Sequence, residues 1–183
     1  MDRDRMVDVG VMLVSRFGAK ALSLTSVAKH AGVARATAYR MFGGKEALIA
    51  AIVEREVAQL RERLSTWAAA QPDAEGKVGG QVTESLRYIR ENEALQYVLR
   101  NEPGEIVSAL VSTTHGGPAL VTQIVSAALP DVDDDVRARL RPNPEAAAEF
   151  IVRVVYSLML VPDSAMTDEQ VAQLVVAAVL APE

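Results

Sequence analysis

The sequence predicts an all-α fold on three observations. Apolar residues recur at three- and four-residue spacing nearly everywhere, the period of a helix with one buried face. No segment alternates apolar and polar residues as a half-buried strand does, and no internal repeat is present. Helix punctuation is frequent: Ser23, Asn143 and Thr167 stand where helix starts need side-chain acceptors, and Gly18, Gly32 and Gly43-Gly44 stand where helices end. Aromatic residues make up 4% of the chain and half of it is apolar, so the core is built from Ala, Val, Leu and Ile. A chain of 183 residues closes such a core without disulfides.

Taken in order, Met6, Val9, Gly10, Leu13 and Phe17 define the buried face of a first helix, which Gly18 ends. Ser23 caps a short helix over Leu24–Ala31, with Ser26 at its third position, and Gly32 stops it. A second short helix, Arg35–Phe42, follows and is broken by Gly43-Gly44. A long helix then runs from about Lys45 to Ala69, with Leu48, Ile52, Leu60 and Leu64 on its apolar side. Gln71–Gly80 holds Pro72, Gly76, Gly79 and Gly80 and reads as a loop. Val82–Asn92 and Glu93–Arg100 are the next helices, interrupted by Pro103-Gly104.

Ile106–Pro130 contains no charged residue, and Gly116-Gly117-Pro118 reads as a turn between two buried helices. The acidic run Asp131–Asp135 lacks the glycine and distal Glu of a calcium loop. Its carboxylates are read as complementing the N-terminus of a helix over Val136–Leu140. Asn143 as N-cap and Pro144 at the first position open a helix striped by Ala147, Phe150, Ile151, Val154, Val155, Leu158 and Met159, which Pro162 ends. Thr167 and Gln170 form a capping box for the last helix, striped by Val171, Leu174, Val175, Ala178 and Val179.

Composition removes several functions. The absence of cysteine excludes disulfide scaffolds, thiolate metal sites and Cys nucleophiles. Two histidines, His30 and His115, leave little material for a triad or a zinc site, so neither enzyme activity nor a cofactor is expected. Asp2, Asp4 and Asp8 spoil the apparent signal peptide, and the polar centre of the uncharged stretch argues against a membrane span. A soluble, cytoplasmic protein is expected. The net charge of −5 is unevenly spread. Residues 1–50 carry eight basic against four acidic side chains, and the remainder eleven against twenty. A basic quarter on an acidic body points to a local polyanion site.

That quarter also contains two short helices joined by a tight glycine turn, the geometry of a helix-turn-helix. Lys29, Arg35, Arg40 and Lys45 are opposed there only by Glu46, while Val27, Ala28, Ala31, Val33, Ala38 and Phe42 supply the buried side. Ala28 and Gly32 are small where the two helices would cross. The stretch Ser23-Leu24-Thr25-Ser26-Val27-Ala28-Lys29-His30-Ala31-Gly32-Val33 is followed by Thr37-Ala38-Tyr39-Arg40-Met41-Phe42 and by Lys45-Glu46-Ala47-Leu48. In order and spacing, residues from Arg5 to about Ile52 resemble the DNA-binding domain of the TetR family of bacterial transcriptional regulators. Ala34 departs from the family's usual capping residue, and Met41 stands where a His is frequent.

The resemblance implies a helix-turn-helix domain over residues 1–46 and a helical ligand-binding and dimerisation domain over 47–183. It implies that Arg35 and Thr37 meet base edges, that Thr25 reaches a base edge or phosphate, and that Tyr39, Arg40 and Lys45 clamp phosphates. A short arm holding Arg3 and Arg5 is a further candidate for base reading, and His30 is read as structural. The implied partners are a double-stranded operator, a small-molecule effector, and a second copy joined through the last two helices. The interior of residues 80–160 is mainly Leu, Val, Ile and Met, with Tyr88, Tyr97, His115, Gln123 and Tyr156 as polar exceptions. This lining suits a hydrophobic or amphipathic effector. The expected function is a ligand-responsive repressor. Its rivals are an activator, an architectural DNA-binding protein, or a helical interaction module whose hairpin only mimics the motif.

Overall fold

The computed structural model describes residues 2–111 and 120–182. The described chain is helical: α1 Asp2–Phe17, α2 Leu24–Ala31, α3 Arg35–Phe42, α4 Lys45–Ala68, α5 Ala74–Glu91 and α6 Glu93–Asn101 come first. After them come α7 Pro103–Val111, α8 Leu120–Ala128, a 3-10 turn at Leu129–Asp131, α9 Asp134–Arg139, α10 Pro144–Leu160 and α11 Asp168–Val179. No helix among the described residues is long and apolar enough to cross a membrane.

The chain packs as two compact units, Met1–Ala58 with Glu91–Ser108, and Gln59–Arg90 with Ala109–Glu183. Packing therefore divides it elsewhere than the motif boundary between 46 and 47, because α6 lies on α1 and joins the N-terminal unit. In that unit α1 buries Met6, Val7, Gly10, Leu13 and Val14. The predicted stripe is displaced: Phe17 is 59% exposed, and Val7 and Val14 take its place. The reason is that α1 meets α2 on one side and α6 on another, so its buried face is wider than a single stripe. Gly10 lets α4 approach, since a Cβ there would stand 2.6 Å from Ile52 Cδ1. Asn92 caps α6 by accepting from the Leu95 N–H at 2.9 Å.

In the second unit, the predicted loop over Gln71–Gly80 is confined to residues 71–73, and residues 74–80 are the first part of α5. Asp73 starts that helix, its Oδ1 accepting from the Gly76 N–H at 2.7 Å. Gly79 and Gly80 are packing glycines. Gly80 lies against the Trp67 ring so closely that a Cβ would overlap it, and Gly79 faces Val176 and Ala172 of α11. Val78, Val82 and Leu86 of α5, Ala147, Ile151 and Val155 of α10, and Val171, Val175 and Val179 of α11 are buried.

The uncharged stretch holds two helices, α7 and α8, but neither is buried as expected. Val107 is exposed, and α8 packs on α10 while turning Thr122, Gln123 and Ser126 outward. Neutral polar side chains, rather than charges, face the water there. The expected Gly-Gly-Pro turn and His115 lie outside the described residues.

Each part of the acidic run has a local use. Asp131 pairs with Arg61, whose hydrogen bonds hold the carboxyl below its ordinary range, and Asp133 pairs with Lys77. Asp134 and Asp135 occupy the first turn of α9. Such exposed pairs fix geometry more than they stabilise. An isolated bridge between Leu140 and Leu180 closes the unit, with Arg141 N–H donating to Val179 O at 2.8 Å and Ala181 N–H to Arg139 O at 2.9 Å.

Packing at the two kinds of glycine separates in stability. Gly80→Ala must displace the Trp67 ring and is expected to destabilise by about 1–3 kcal/mol in urea unfolding. Gly104→Ala meets nothing within 4 Å on α7 and is expected to be neutral or stabilising by up to about 1 kcal/mol.

Candidate nucleic-acid interface

The turn between α2 and α3 is built by local chemistry. Ser23 Oγ accepts from the Ser26 N–H at 3.1 Å, fixing where α2 begins. At the other end Gly32 adopts φ 67° and ψ 30°, and the Val33 N–H donates to Ala28 O at 2.9 Å. This left-handed cap redirects the chain in three residues. Gly32 is not a contact point between helices, as its expected role implied. It is exposed, and the nearest atom to an added Cβ is Arg5 Nη2 at 3.8 Å. It is needed for its φ alone. Ala28, in contrast, is fully enclosed.

Helix α3 starts at Ala34 with no side-chain cap, as its sequence requires. Its inner face is Ala38 and Phe42, both buried, and it ends at Gly43 with φ 75°. Outward lie Arg35, Tyr39 and Arg40, all exposed, with Thr37 half-buried beside them. The Arg35 guanidinium lies over the Tyr39 ring at 5.3 Å, which extends it along the outer face of the helix. Thr25 is exposed in the first turn of α2. His30 is exposed and its Nδ1 lies 2.8 Å from Ser26 O, a bond within its own helix in the tautomer protonated there.

The predicted arm is absent as an arm, since α1 already includes Asp2 and so carries Arg3 and Arg5 on helix. Arg3 stacks on the Phe42 ring at 5.4 Å, which brings a further guanidinium to the end of α3. Asp4 and Asp8 of α1 pair with Arg55 of α4. Lys45 is half-buried, and its ammonium donates to the Lys20 carbonyl at 2.8 Å. Thr25, Arg35, Thr37, Tyr39, Arg40 and Lys45 thus share one unit, with five of them on or beside α3.

Residues 6–52 match the sequence pattern of bacterial regulatory proteins of the tetR family. Those residues have the sequence of a tetR-family DNA-binding domain. The chain is 28% identical over 167 residues to an HTH-type transcriptional regulator of Mycobacterium tuberculosis strain H37Rv, covering 91% of this chain and 79% of that one. Its fold is similar to that of the TetR family repressor AlkX from Dietzia sp. strain DQ12-45-1b, with a TM-score of 0.72, 20% identity, and 95% and 94% of the two chains covered. The fatty acid degradation regulator FadR from Bacillus halodurans has the same fold, at a TM-score of 0.62 and 15% identity over 95% and 92% of the chains. The matched segment, residues 6–52, contains the helix-turn-helix of α2 and α3.

The polar residues expected around an effector are dispersed. Tyr97 lies on α6 in the first unit, where its Cε1 would stand 2.8 Å from a Cβ at Gly18. Tyr88, Gln123 and Tyr156 belong to the second unit, and His115 lies outside the described residues. Tyr88 sits beneath the Arg63 guanidinium at 6.0 Å. Tyr156 is mostly buried, its hydroxyl has no hydrogen-bond partner among the described residues, and desolvation raises its pKa. A groove of about 410 Å³ is lined by Gln59, Glu62, Arg63, Thr66, Trp67 and Glu84, none of which sequence reasoning selected. Glu84 is only 3% exposed and is held between Arg63 at 3.4 Å and Arg87 at 2.9 Å. A carboxylate in the middle of an amphipathic helix carries no local signal of such burial.

The turn chemistry makes a sharp expectation. Gly32→Asn tolerates the left-handed conformation and should retain duplex binding. Gly32→Val should lose at least about 1–2 kcal/mol of stability in thermal unfolding and weaken binding with it, although the site has room for the side chain.

Proposed function

We propose that this regulator is a repressor that binds an inverted-repeat operator as a homodimer and is released by a hydrophobic or amphipathic small molecule. The observation that carries it is the outer face of α3, where Arg35, Tyr39 and Arg40 are exposed while Ala38 and Phe42 anchor the helix from behind. Arg35 reads a guanine edge with two parallel hydrogen bonds, and Thr37 and Thr25 read or flank it. Tyr39, Arg40 and Lys45 hold phosphates and set the register. Residues 1–46 carry this contact and residues 47–183 carry dimerisation and effector binding. The protein acts in the cytoplasm, with no catalytic step of its own.

The last two helices support the dimer. Each predicted stripe divides in two: Ala147, Ile151 and Val155, with Val171, Val175 and Val179, face inward. Phe150 at 44% exposure and Leu174 at 60% face outward, and Ala177 and Ala178 continue the outer side of α11. Helices apolar on both sides call for cover on both sides. The Tyr156 hydroxyl supports the effector reading, since a buried donor without a partner among the described residues suits an acceptor oxygen on an otherwise apolar molecule. Tyr88 and Gln123 are the other candidates for orienting it. The effector acts by binding the DNA-incompetent dimer more tightly than the competent one.

Two experiments test this. A duplex enriched from a random pool, compared with its scrambled form over a range of salt, reads the DNA contacts. Arg35→Ala should lose about 1–3 kcal/mol on the selected duplex and little on the scrambled one. Tyr39→Phe and Arg40→Ala should weaken both alike, and Arg40→Ala should flatten the log–log salt slope by about 0.9. Equal loss on both duplexes for Arg35→Ala would make Arg35 a phosphate contact and leave base reading to Thr25 or Thr37, while a wild type that binds both duplexes alike would favour an architectural protein. For assembly, Phe150→Asp with Leu174→Arg should sediment as a folded monomer at micromolar concentration where the wild type is a dimer. A wild type that sediments as a monomer rejects the dimer.

A further inference from the structure

The connection between α1 and α2, residues 18–23, is held from two sides by side chains distant in sequence. Gly18 ends α1 with φ 84°, and its own N–H donates to Val14 O at 2.9 Å. The next two N–H groups turn to Glu102, which lies between α6 and α7 and is 9% exposed. Glu102 Oε2 accepts from the Ala19 N–H at 2.8 Å and from the Lys20 N–H at 3.1 Å. On the opposite side of the same segment, the Lys20 carbonyl accepts from Lys45 Nζ at 2.8 Å, at the first residue of α4. A Cβ on Gly18 would collide with both Glu102 and the Tyr97 ring, so glycine is what admits the carboxylate.

From this geometry we infer that Glu102 is a positioning residue for DNA binding: it fixes the α1–α2 connection and, through the Lys20 peptide, the Lys45 ammonium. The functional half of this inference rests on the proposed DNA-binding role of Lys45. A carboxylate accepting two backbone N–H groups in a nearly closed site makes charge-assisted bonds that resist small displacements. Lys45 has three donors, and one bond to Lys20 leaves the others for a phosphate. The same connection leads into Ser23, the cap that sets where α2 begins, and Leu22 before it is buried in the core. A shift at the junction of α6 and α7 therefore moves the start of α2 and the anchor of Lys45 together. Lys20 adds a longer ion pair to Glu105 at 3.9 Å, which is exposed and contributes little.

The test combines amide exchange with a double-mutant cycle on the full chain. Glu102→Ala should speed exchange of the Ala19 and Lys20 amides tenfold or more, and Glu102→Gln, which keeps one acceptor oxygen, should restore part of the protection. Amides of α10 and α11 should not change, which also reports that the variants are folded. On the selected duplex, Glu102→Ala and Lys45→Met should each weaken binding severalfold. The double variant should be no weaker than the worse single one, as expected for groups acting through one contact. Glu102→Ala with Arg35→Ala should instead multiply. Unchanged exchange at Ala19 and Lys20, or multiplying effects of Glu102→Ala and Lys45→Met, overturns the inference. If the wild type binds no duplex, the DNA-binding reading fails, and the exchange data still decide whether Glu102 holds the connection.

Discussion

Helices of eight residues do not hold their shape alone, because nucleating a turn costs more than so few hydrogen bonds return. Helices α2 and α3 are both that short, and five of the six proposed DNA contacts stand on them. Their stability comes from the side they bury. Leu24, Val27, Ala28 and Ala31 of α2 and Ala38 and Phe42 of α3 enter one core with Met6, Val7 and Leu13 of α1 and Leu48 of α4. Ala94 and Val98 of α6 close the same core from a part of the chain fifty residues further on. The proposed DNA-facing surface is therefore only as rigid as the packing of α1 on α6.

This dependence explains why the polar details gather at the edges of that core. Gly32 and Gly43 adopt left-handed φ at the ends of the two short helices, where the chain must reverse. Ser23 and Asn92 cap helices that have little length in which to recover a lost hydrogen bond. Asn92 also donates to Glu56 of α4, so the start of α6 and the long helix are joined by a side-chain bond inside the same unit. The buried charges follow the same logic in both units. Glu102 takes two backbone donors, and Glu84 lies in ion pairs with two guanidinium groups, since a carboxylate withdrawn from water needs donors or opposite charge beside it.

The second unit uses different materials. Its contacts are made by small side chains at close range: Gly79 against Ala172 and Val176, and Gly80 beneath Trp67. Its outer ties are ion pairs, Arg61 to Asp131, Lys77 to Asp133, Arg139 to Glu75 and Arg90 to Asp168. The excess of acid in the second unit is thus partly paired with its own basic side chains.

The sequence by itself determined the all-α fold, the limits of α2, α3, α10 and α11, and the outward residues of α3. Those features depend on neighbours within one helical turn: a cap at Ser23, Asn143 or Thr167, a glycine at Gly32 or Gly43, and a recurring apolar step. Tertiary structure decided the rest. Gly76, Gly79 and Gly80 carry the local signature of a loop, yet they lie in α5, where Gly80 packs too close to Trp67 to admit a Cβ and Gly79 faces α11. Phe17 left the predicted face of α1 because that helix packs on two neighbours, and the uncharged α7 and α8 stayed near the surface behind threonine, serine and glutamine. Glu102 was beyond local reading altogether. Its partners lie more than eighty residues away, and only the packing of α6 on α1 brings them within hydrogen-bond distance.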